Sequence, residues 1–197
     1  ARIALEHQPV EKWKDAALAL NEPRAVLVGL VGLARQADAG VLPEFTKKLL
    51  SVDYASLSPE DQLIWLRALQ LGFIRLGKPD DSTSQILVKT LEAIYPVASY
   101  SHNAELVQLL VFLGSEQVVG KTLDMMDHLG SEPVPNWGYL IARNDRYGGT
   151  VGKMMSDMPP SRAIHFALVL RNATTGWDIE KRKRYFGFFI EAAKKPG

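Results

Sequence analysis

The chain has 197 residues, of which 47% are hydrophobic and 23% charged, the composition of a globular protein long enough to bury one continuous core or two small ones. Its 23 lysines and arginines nearly balance 22 aspartates and glutamates, which gives a net charge of +1. A dedicated nucleic-acid-binding protein is usually strongly basic, so the charge allows nucleic-acid binding only through a local basic patch. The absence of cysteine excludes disulfides, thiolate metal sites, cysteine nucleophiles and covalent c-type haem attachment.

The first residues given lack the basic region, the apolar stretch and the small-residue cleavage site that are typical of a secretory signal. Residues 1–6, ARIALE, have instead the pattern of the last turns of a helix, so we expect the chain to be part of a longer protein. Its apolar runs are far shorter than the roughly 20 residues needed to cross a bilayer, and we expect no membrane span. Composition alone does not determine the cellular compartment of the protein.

Apolar residues recur with helical spacing almost throughout, and no stretch alternates as a strand does. The first apolar face lies within residues 10–20 and has four members, namely Trp13, Ala16, Ala17 and Leu20. Pro23 suits the first turn of a second helix, which we expect to run to about residue 37. Residues 42–50 form a shorter third helix.

Capping residues predict the central helices. Ser58 caps a fourth helix that ends at Gly77, and Asp80 or Asp81 caps a fifth that ends near Pro96. Two further helices follow: one begins at Ser101 or Asn103 and closes at Gly114, and the next begins at Ser115 and closes at Gly130. Prolines and glycines then make residues 131–158 the longest irregular segment, before final helices at 159–173 and 178–194.

Four of these helices carry similar leucine-rich blocks, at 26–34, 63–71, 105–113 and 163–170. Their first residues are 37, 42 and 58 positions apart. The first two intervals are close to the period of HEAT and armadillo repeats, and the irregular segment lengthens the third. Such helices lack a wide polar face because repeats cover them on both sides. We therefore predict one all-α domain over residues 1–197, an α-solenoid of antiparallel helix pairs, with an irregular helical bundle as the alternative.

Two segments, NAELVQLLVFLG at 103–114 and HFALVLRNATTGWDIEKRKRYF at 165–186, carry a resemblance to a bacterial family. They look like the HEAT-like helical region of large exported proteins that combine a dehydrogenase-like or propeller domain with a c-type cytochrome domain. The resemblance covers the last half of the chain and implies a spacer or docking region beside redox domains in an extracytoplasmic, periplasmic or cell-surface protein. The Cys-x-x-Cys-His haem motif of that family is absent from this chain. The resemblance therefore implies no cofactor and no functional residue here.

The histidines offer two pairs at the spacing of metal ligands on a helix, Asp124 with His128 and His102 with Glu105. Neither pair has further ligands at defined offsets, so we interpret them as surface or helix-end groups and predict no metal and no cofactor. His165 lies in an apolar block, where we expect a hydrogen-bonded core histidine.

The irregular segment contains the loop with the most chemically diverse side chains. Arg143, Asp145, Arg146 and Tyr147 precede a pair of glycines, a composition that lets backbone amides approach an anion. The loop matches neither the Walker A pattern nor the dinucleotide fingerprint. We interpret it as an inter-repeat loop with Arg–Asp pairing and, together with Trp137, as the first place to seek a binding surface.

A basic run lies near the C-terminus and has four members, namely Lys181, Arg182, Lys183 and Arg184. Aromatic residues flank it, as in proteins that bind single-stranded nucleic acid. On a helix, however, Asp178 and Glu180 lie beside the run. A buried stripe is expected behind it, formed by Tyr185, Phe186, Phe189 and Ala192 or Ala193. We therefore predict a solvated helix face.

These observations predict a non-catalytic helical-repeat scaffold or docking module within a larger bacterial protein. Its expected partners are proteins or neighbouring domains of the same chain. The alternative is a nucleic-acid-binding helical-repeat protein of the DNA-glycosylase type, which rests on analogy of fold and on the basic run.

Overall fold

The computed structural model describes residues 2–129 and 161–194, and within these ranges the chain is helical and contains no strand. The all-α class predicted from the sequence is confirmed. None of the described helices combines the length and apolarity that crossing a bilayer demands. The described α-helices are α1 (Arg2–Glu6), α2 (Lys14–Leu18), α3 (Pro23–Gln36), α4 (Leu42–Leu50), α5 (Pro59–Leu76), α6 (Asp81–Ile94), α7 (Tyr100–Leu113), α8 (Val118–Asp127), α9 (Ser161–Leu170) and α10 (Ile179–Ala192).

Local capping sets most of these boundaries where the sequence predicts them. Pro23 occupies the first turn of α3, and the side chain of Ser58 accepts a hydrogen bond from the Asp61 amide at the start of α5. Asp80 accepts from the Thr83 amide at 2.8 Å, and hydrogen bonds from Ser82 and Thr83 lower the pKa of Asp80 to about 2. Gly114 ends α7 in the left-handed conformation, which glycine adopts without steric cost.

Several predicted boundaries are wrong, among them the start of α8, which is Val118 rather than Ser115. The expected helix over residues 10–20 is broken into a 3-10 turn, Val10–Lys12, and α2, because Trp13 leaves helical geometry and buries its ring. The start of α7 is Tyr100 rather than Ser101 or Asn103, because Ser99 is the cap. Asn103 instead lies inside α7 and hydrogen-bonds both backbone groups of Val97. The predicted irregular segment and the predicted stop at Gly130 lie outside the described residues.

The four leucine-rich blocks lie on α3, α5, α7 and α9, and these helices pack on one another in chain order. α5 contacts both α3 and α7, and α7 contacts both α5 and α9. The remaining helices pack beside them: α4 on α3 and α5, α6 on α7, and α8 on α7, α9 and α10. Buried side chains from Trp13 to Tyr185 form one continuous hydrophobic cluster.

Ion pairs connect successive helices of the leucine-rich set. Arg24 of α3 lies 3.1 Å from Asp61 of α5, and Arg67 of α5 lies 3.0 Å from Glu105 of α7. No such pair joins α7 to α9 among the described residues; there the ring of Tyr100 packs on Phe166. The surface between α5, α7 and α9 is where the candidate site lies.

Candidate interaction groove

A groove of about 650 Å³ crosses α5, α7, α9 and the residues just after α9. Among the described residues, its lining is mainly apolar and includes no charged side chain. The apolar members are Phe73, Ile74, Leu109, Val111, Phe112 and Val169, and the polar members are Gln70, Gln108, His165, Asn172 and Thr174. A concave apolar surface with a few polar groups is the usual form of a binding site in a protein.

Two aromatic rings form one side of the groove. Phe73 of α5 is buried, and its ring stacks on that of Phe112 of α7 with centroids 5.3 Å apart. Phe112 remains 47% exposed and Ile74 is 78% exposed. A single exposed apolar residue is ordinary, but two that share a groove with a buried aromatic wall form an apolar patch available to a partner.

Three of the five polar side chains of the groove are carboxamides, and hydrogen bonds to helix carbonyls hold two of them. Gln70 donates from Nε2 to the carbonyl of Glu105 at 3.2 Å, and Gln108 donates from Nε2 to the carbonyl of Ala104 at 3.0 Å. Both amide oxygens accept no hydrogen bond from the described residues, and the side chain of Asn172 is likewise unpaired there. The groove therefore presents neutral hydrogen-bond acceptors. The hydrogen bond that each glutamine donates from its amide nitrogen fixes the orientation of the free amide oxygen on the same side chain.

His165 lies in the wall of this groove and not in the core. It is half-buried, and the rings of Tyr100 and Phe166 lie around it at 6.2 Å and 5.5 Å. Its Nε2 is buried and has no hydrogen-bond partner. The prediction of a hydrogen-bonded core histidine is wrong, because aromatic rings rather than polar groups surround the imidazole.

The two predicted metal-spaced pairs are engaged in other contacts. His102 approaches the Ser99 hydroxyl through Nδ1 at 2.8 Å and the Pro59 carbonyl through Nε2 at 3.1 Å, which connects α7 to the start of α5. On α8, Asp124 pairs with Arg184, and Nδ1 of His128 lies 2.7 Å from the Asp124 carbonyl. Across residues 2–129 and 161–194, no group of three or more metal-ligating side chains comes together.

Most of the basic run is paired with acidic side chains. Lys181 lies 3.0 Å from Asp178, and Lys183 lies 2.8 Å from Glu180. Arg184 contacts two aspartates of α8, at 2.6 Å and 2.9 Å, and these hydrogen bonds raise the pKa of its guanidinium. Arg182 is exposed and makes no ion pair within the described part of the chain.

The expected buried stripe behind the basic run is only partly correct. Tyr185 is buried and donates its hydroxyl to the Ala167 carbonyl at 3.1 Å, and Phe189 is half-buried beside it. Phe186 and Ala193, however, face solvent. They do so because α10 packs mainly on α8, which covers a narrower side of the helix than the sequence pattern indicates.

The other predicted binding residues, Trp137, Arg143, Asp145, Arg146 and Tyr147, lie outside the described residues. Sequence reasoning missed the groove, although the exposed Ile74 and Phe112 were visible as apolar residues near the C-terminal ends of their helices. Comparison of the chain with protein-family models, with curated proteins and with solved structures finds no match.

Proposed function

We propose that this chain is a non-catalytic helical-repeat module, a HEAT-like α-solenoid of antiparallel helix pairs, that docks a protein partner or a neighbouring domain. The main support is the order of packing: α3, α5, α7 and α9 carry the similar blocks and contact one another in sequence. In a solenoid each repeat contacts its neighbours, and the stacked helices present an extended binding surface.

The groove across α5, α7 and α9 supports a polypeptide as the docked group. Its apolar wall would bury side chains of the partner, and the free amide oxygens of Gln70 and Gln108 would accept hydrogen bonds from main-chain N–H groups. A lining without charge suits a neutral apolar segment better than an acidic or basic one.

The resemblance to the helical region of exported bacterial proteins with c-type cytochrome domains supports a role beside redox domains. In that setting the module would position a neighbouring domain outside the cytoplasm, and haem chemistry would belong to that domain. This placement rests on the resemblance of residues 103–114 and 165–186.

The nucleic-acid alternative has less support. Three of the four residues in the basic run are paired with acids on the same helix or on α8, and pairing reduces the positive charge available to phosphates. Duplex binding measured at several salt concentrations tests it. A strong affinity that falls steeply with salt would favour the alternative over the docking module.

The repeat arrangement is tested by cutting the chain after Ala93, which separates α6 from α7 and uncovers the side of α5 that α7 contacts. We expect residues 1–93 to aggregate or to unfold without cooperativity, because neighbouring repeats no longer bury their apolar faces. Circular dichroism and size-exclusion chromatography follow the outcome. A monomeric fragment that unfolds cooperatively would contradict the solenoid.

The groove is tested with peptides selected from a random 12-residue phage library on the whole chain. We expect apolar, weakly charged peptides whose affinity falls at least about 10-fold in Phe112→Asp and Ile74→Asp, because each variant introduces a desolvated charge. Ile86→Asp is the matched control, since Ile86 is an exposed apolar residue of α6 that does not line the groove. Peptides that bind all four proteins equally would refute docking at this groove.

A further inference from the structure

Helix α10 carries an apolar stripe on the side that faces away from the core. Its members are Ile179, Phe186 and Ile190, which are 67%, 60% and 61% exposed. At 3.6 residues per turn these three positions lie within about 20° of one line along the helix. Tyr185 lies about 120° from that line and is buried against α9, whose Ala167 carbonyl accepts its hydroxyl. A helix face that meets only water would carry polar residues at these positions.

Basic residues border the apolar stripe on both sides. Arg182 lies about 60° from the line on one side, and Lys183 and Lys194 lie about 40° and 60° from it on the other. All three are exposed, and Arg182 makes no ion pair within the described residues. The acidic side chains of α10 are farther away, since Glu180 and Glu191 lie about 100° and 120° from the line. The exposed face of α10 therefore combines an apolar centre with positively charged edges.

The ion pairs of α10 leave these edges able to bind an anionic surface. The pairs Glu180–Lys183 and Glu191–Lys194 join side chains that are between 64% and 71% exposed. Exposed pairs of this kind are weak, so their lysines can exchange a carboxylate for another anion. The two basic residues that the fold holds more firmly lie on the opposite side of the helix: Arg184 pairs with aspartates of α8, and Lys181 donates to the Gly176 carbonyl.

We propose that this face of α10 binds the surface of a lipid bilayer that contains anionic headgroups. The apolar stripe enters the boundary between headgroups and acyl chains, and Arg182, Lys183 and Lys194 contact lipid phosphates. Helices that lie in the plane of a membrane interface have this pattern, with apolar residues on one side and lysine or arginine beside them. Long basic side chains suit the edges because their stems lie along apolar surface while their charges reach the headgroups. Such a contact is peripheral and requires no membrane-spanning helix.

Charge and area favour a bilayer over other partners. A second copy of the chain would bring like-charged edges together, which opposes association. The three apolar side chains offer on the order of 300 Å², well below the roughly 800 Å² per partner of stable protein complexes. A bilayer needs no complementary shape, and its anionic headgroups attract basic residues without a matching surface. A nucleic acid would contact the basic residues but leave the apolar stripe in water. The proposal is independent of the groove, because none of these residues lines it.

Sedimentation of the whole chain with lipid vesicles tests the proposal. The vesicles contain either phosphatidylcholine alone or phosphatidylcholine with about 30% phosphatidylglycerol, at an ionic strength of about 0.1 M. We expect the chain to bind the mixed vesicles, with a partition coefficient at least about 10-fold higher than on phosphatidylcholine alone, because each basic residue near an anionic surface contributes about fivefold. A wild type that does not sediment with the mixed vesicles would overturn the proposal, and binding to a short DNA duplex instead would favour nucleic acid as the partner.

Two variants separate the apolar and the basic contributions, with their folds checked by circular dichroism. Ile179→Ser/Phe186→Ser/Ile190→Ser should weaken binding to the mixed vesicles at least about 10-fold. Arg182→Gln/Lys183→Gln should weaken it about 25-fold, the product of two fivefold effects. The matched controls on α6, Ile86→Ser and Lys89→Gln, replace exposed residues of the same types and should bind as the wild type does. Vesicle binding that the triple serine variant retains in full would show attraction by charge alone and overturn insertion of the stripe.

The absence of cysteine allows the contact face to be tested by labelling a single introduced thiol. A nitrobenzoxadiazole label on Phe186→Cys should become brighter and emit at shorter wavelength when mixed vesicles are added, because it leaves water for the apolar boundary of the bilayer. The same label on Ile86→Cys, an exposed position of α6, should change little. An unchanged signal at position 186, or an equal change at position 86, would overturn the assignment of this face of α10 to the membrane.

Discussion

The substitution Gly72→Ala probes the close packing of α4 on α5. A Cβ at Gly72 would lie 2.6 Å from Cε1 and 2.9 Å from Cζ of Phe45, shorter than carbon contacts in folded proteins. Because Phe45 is fully buried, its ring cannot turn into solvent, and the helices must shift. Such overpacking costs about 1–3 kcal/mol, and the higher helix propensity of alanine offsets about 1 kcal/mol. Since two ring atoms are overlapped, we expect a net loss of about 2 kcal/mol.

Urea unfolding followed by far-ultraviolet circular dichroism measures this loss. With a slope of about 2–3 kcal/mol/M for a chain of this size, the midpoint should fall by about 0.7–1 M. Gly187→Ala is the matched control: its new Cβ enters open space, so this variant should gain up to about 1 kcal/mol of stability. Phe45→Leu makes room for the added methyl group, and the double variant should lose less than the two single losses combined. A Gly72→Ala protein at least as stable as the wild type would refute the packing argument.

Three further changes test buried and exposed polar contacts by the same unfolding assay. Burial raises the pKa of Tyr95 from 10.0 to about 12, so stability should fall as pH rises through this window, by on the order of 2–3 kcal/mol. Tyr95→Phe loses the 2.7 Å hydrogen bond to Thr122 and about 1 kcal/mol of stability at neutral pH. As pH rises, its stability should fall less than that of the wild type. Parallel curves of stability against pH for the two proteins would contradict the assignment of the pH effect to Tyr95. Asn103→Leu removes two hydrogen bonds to Val97, at 2.8 Å and 2.7 Å, and should cost about 2–3 kcal/mol; a loss under about 0.5 kcal/mol would show that water replaces them. Arg184→Ala breaks exposed ion pairs to α8 and should lower the free energy of unfolding by less than about 1 kcal/mol, and by less still in 1 M salt. A larger loss that does not depend on salt would mean that the aliphatic part of the Arg184 side chain packs in the core.

Local signals in the sequence determined most of the helices. Ser58, Asp80 and Gly114 act within three or four residues of their own position, through a cap hydrogen bond or a backbone conformation. Leucines at helical spacing marked α3, α5, α7 and α9, because a helix that is covered by neighbours needs apolar residues on more than one side. Such features can be read from the sequence because they depend on residues close together in the chain.

Tertiary packing decided which surfaces of the helices are exposed. The groove exists because α5, α7 and α9 meet at angles that leave Phe112 beside Phe73 and uncover Ile74, and these angles depend on side chains far apart in sequence. The ion pairs of Arg184 also depend on long-range contacts, because its partners are aspartates of α8. The spacing of residues within α10 does not predict these partners. Helical spacing could place Phe186 on a face of α10, but only the narrow contact with α8 left its side chain exposed. The sequence thus determined the helices and their order, whereas their long-range contacts determined which side chains remain exposed.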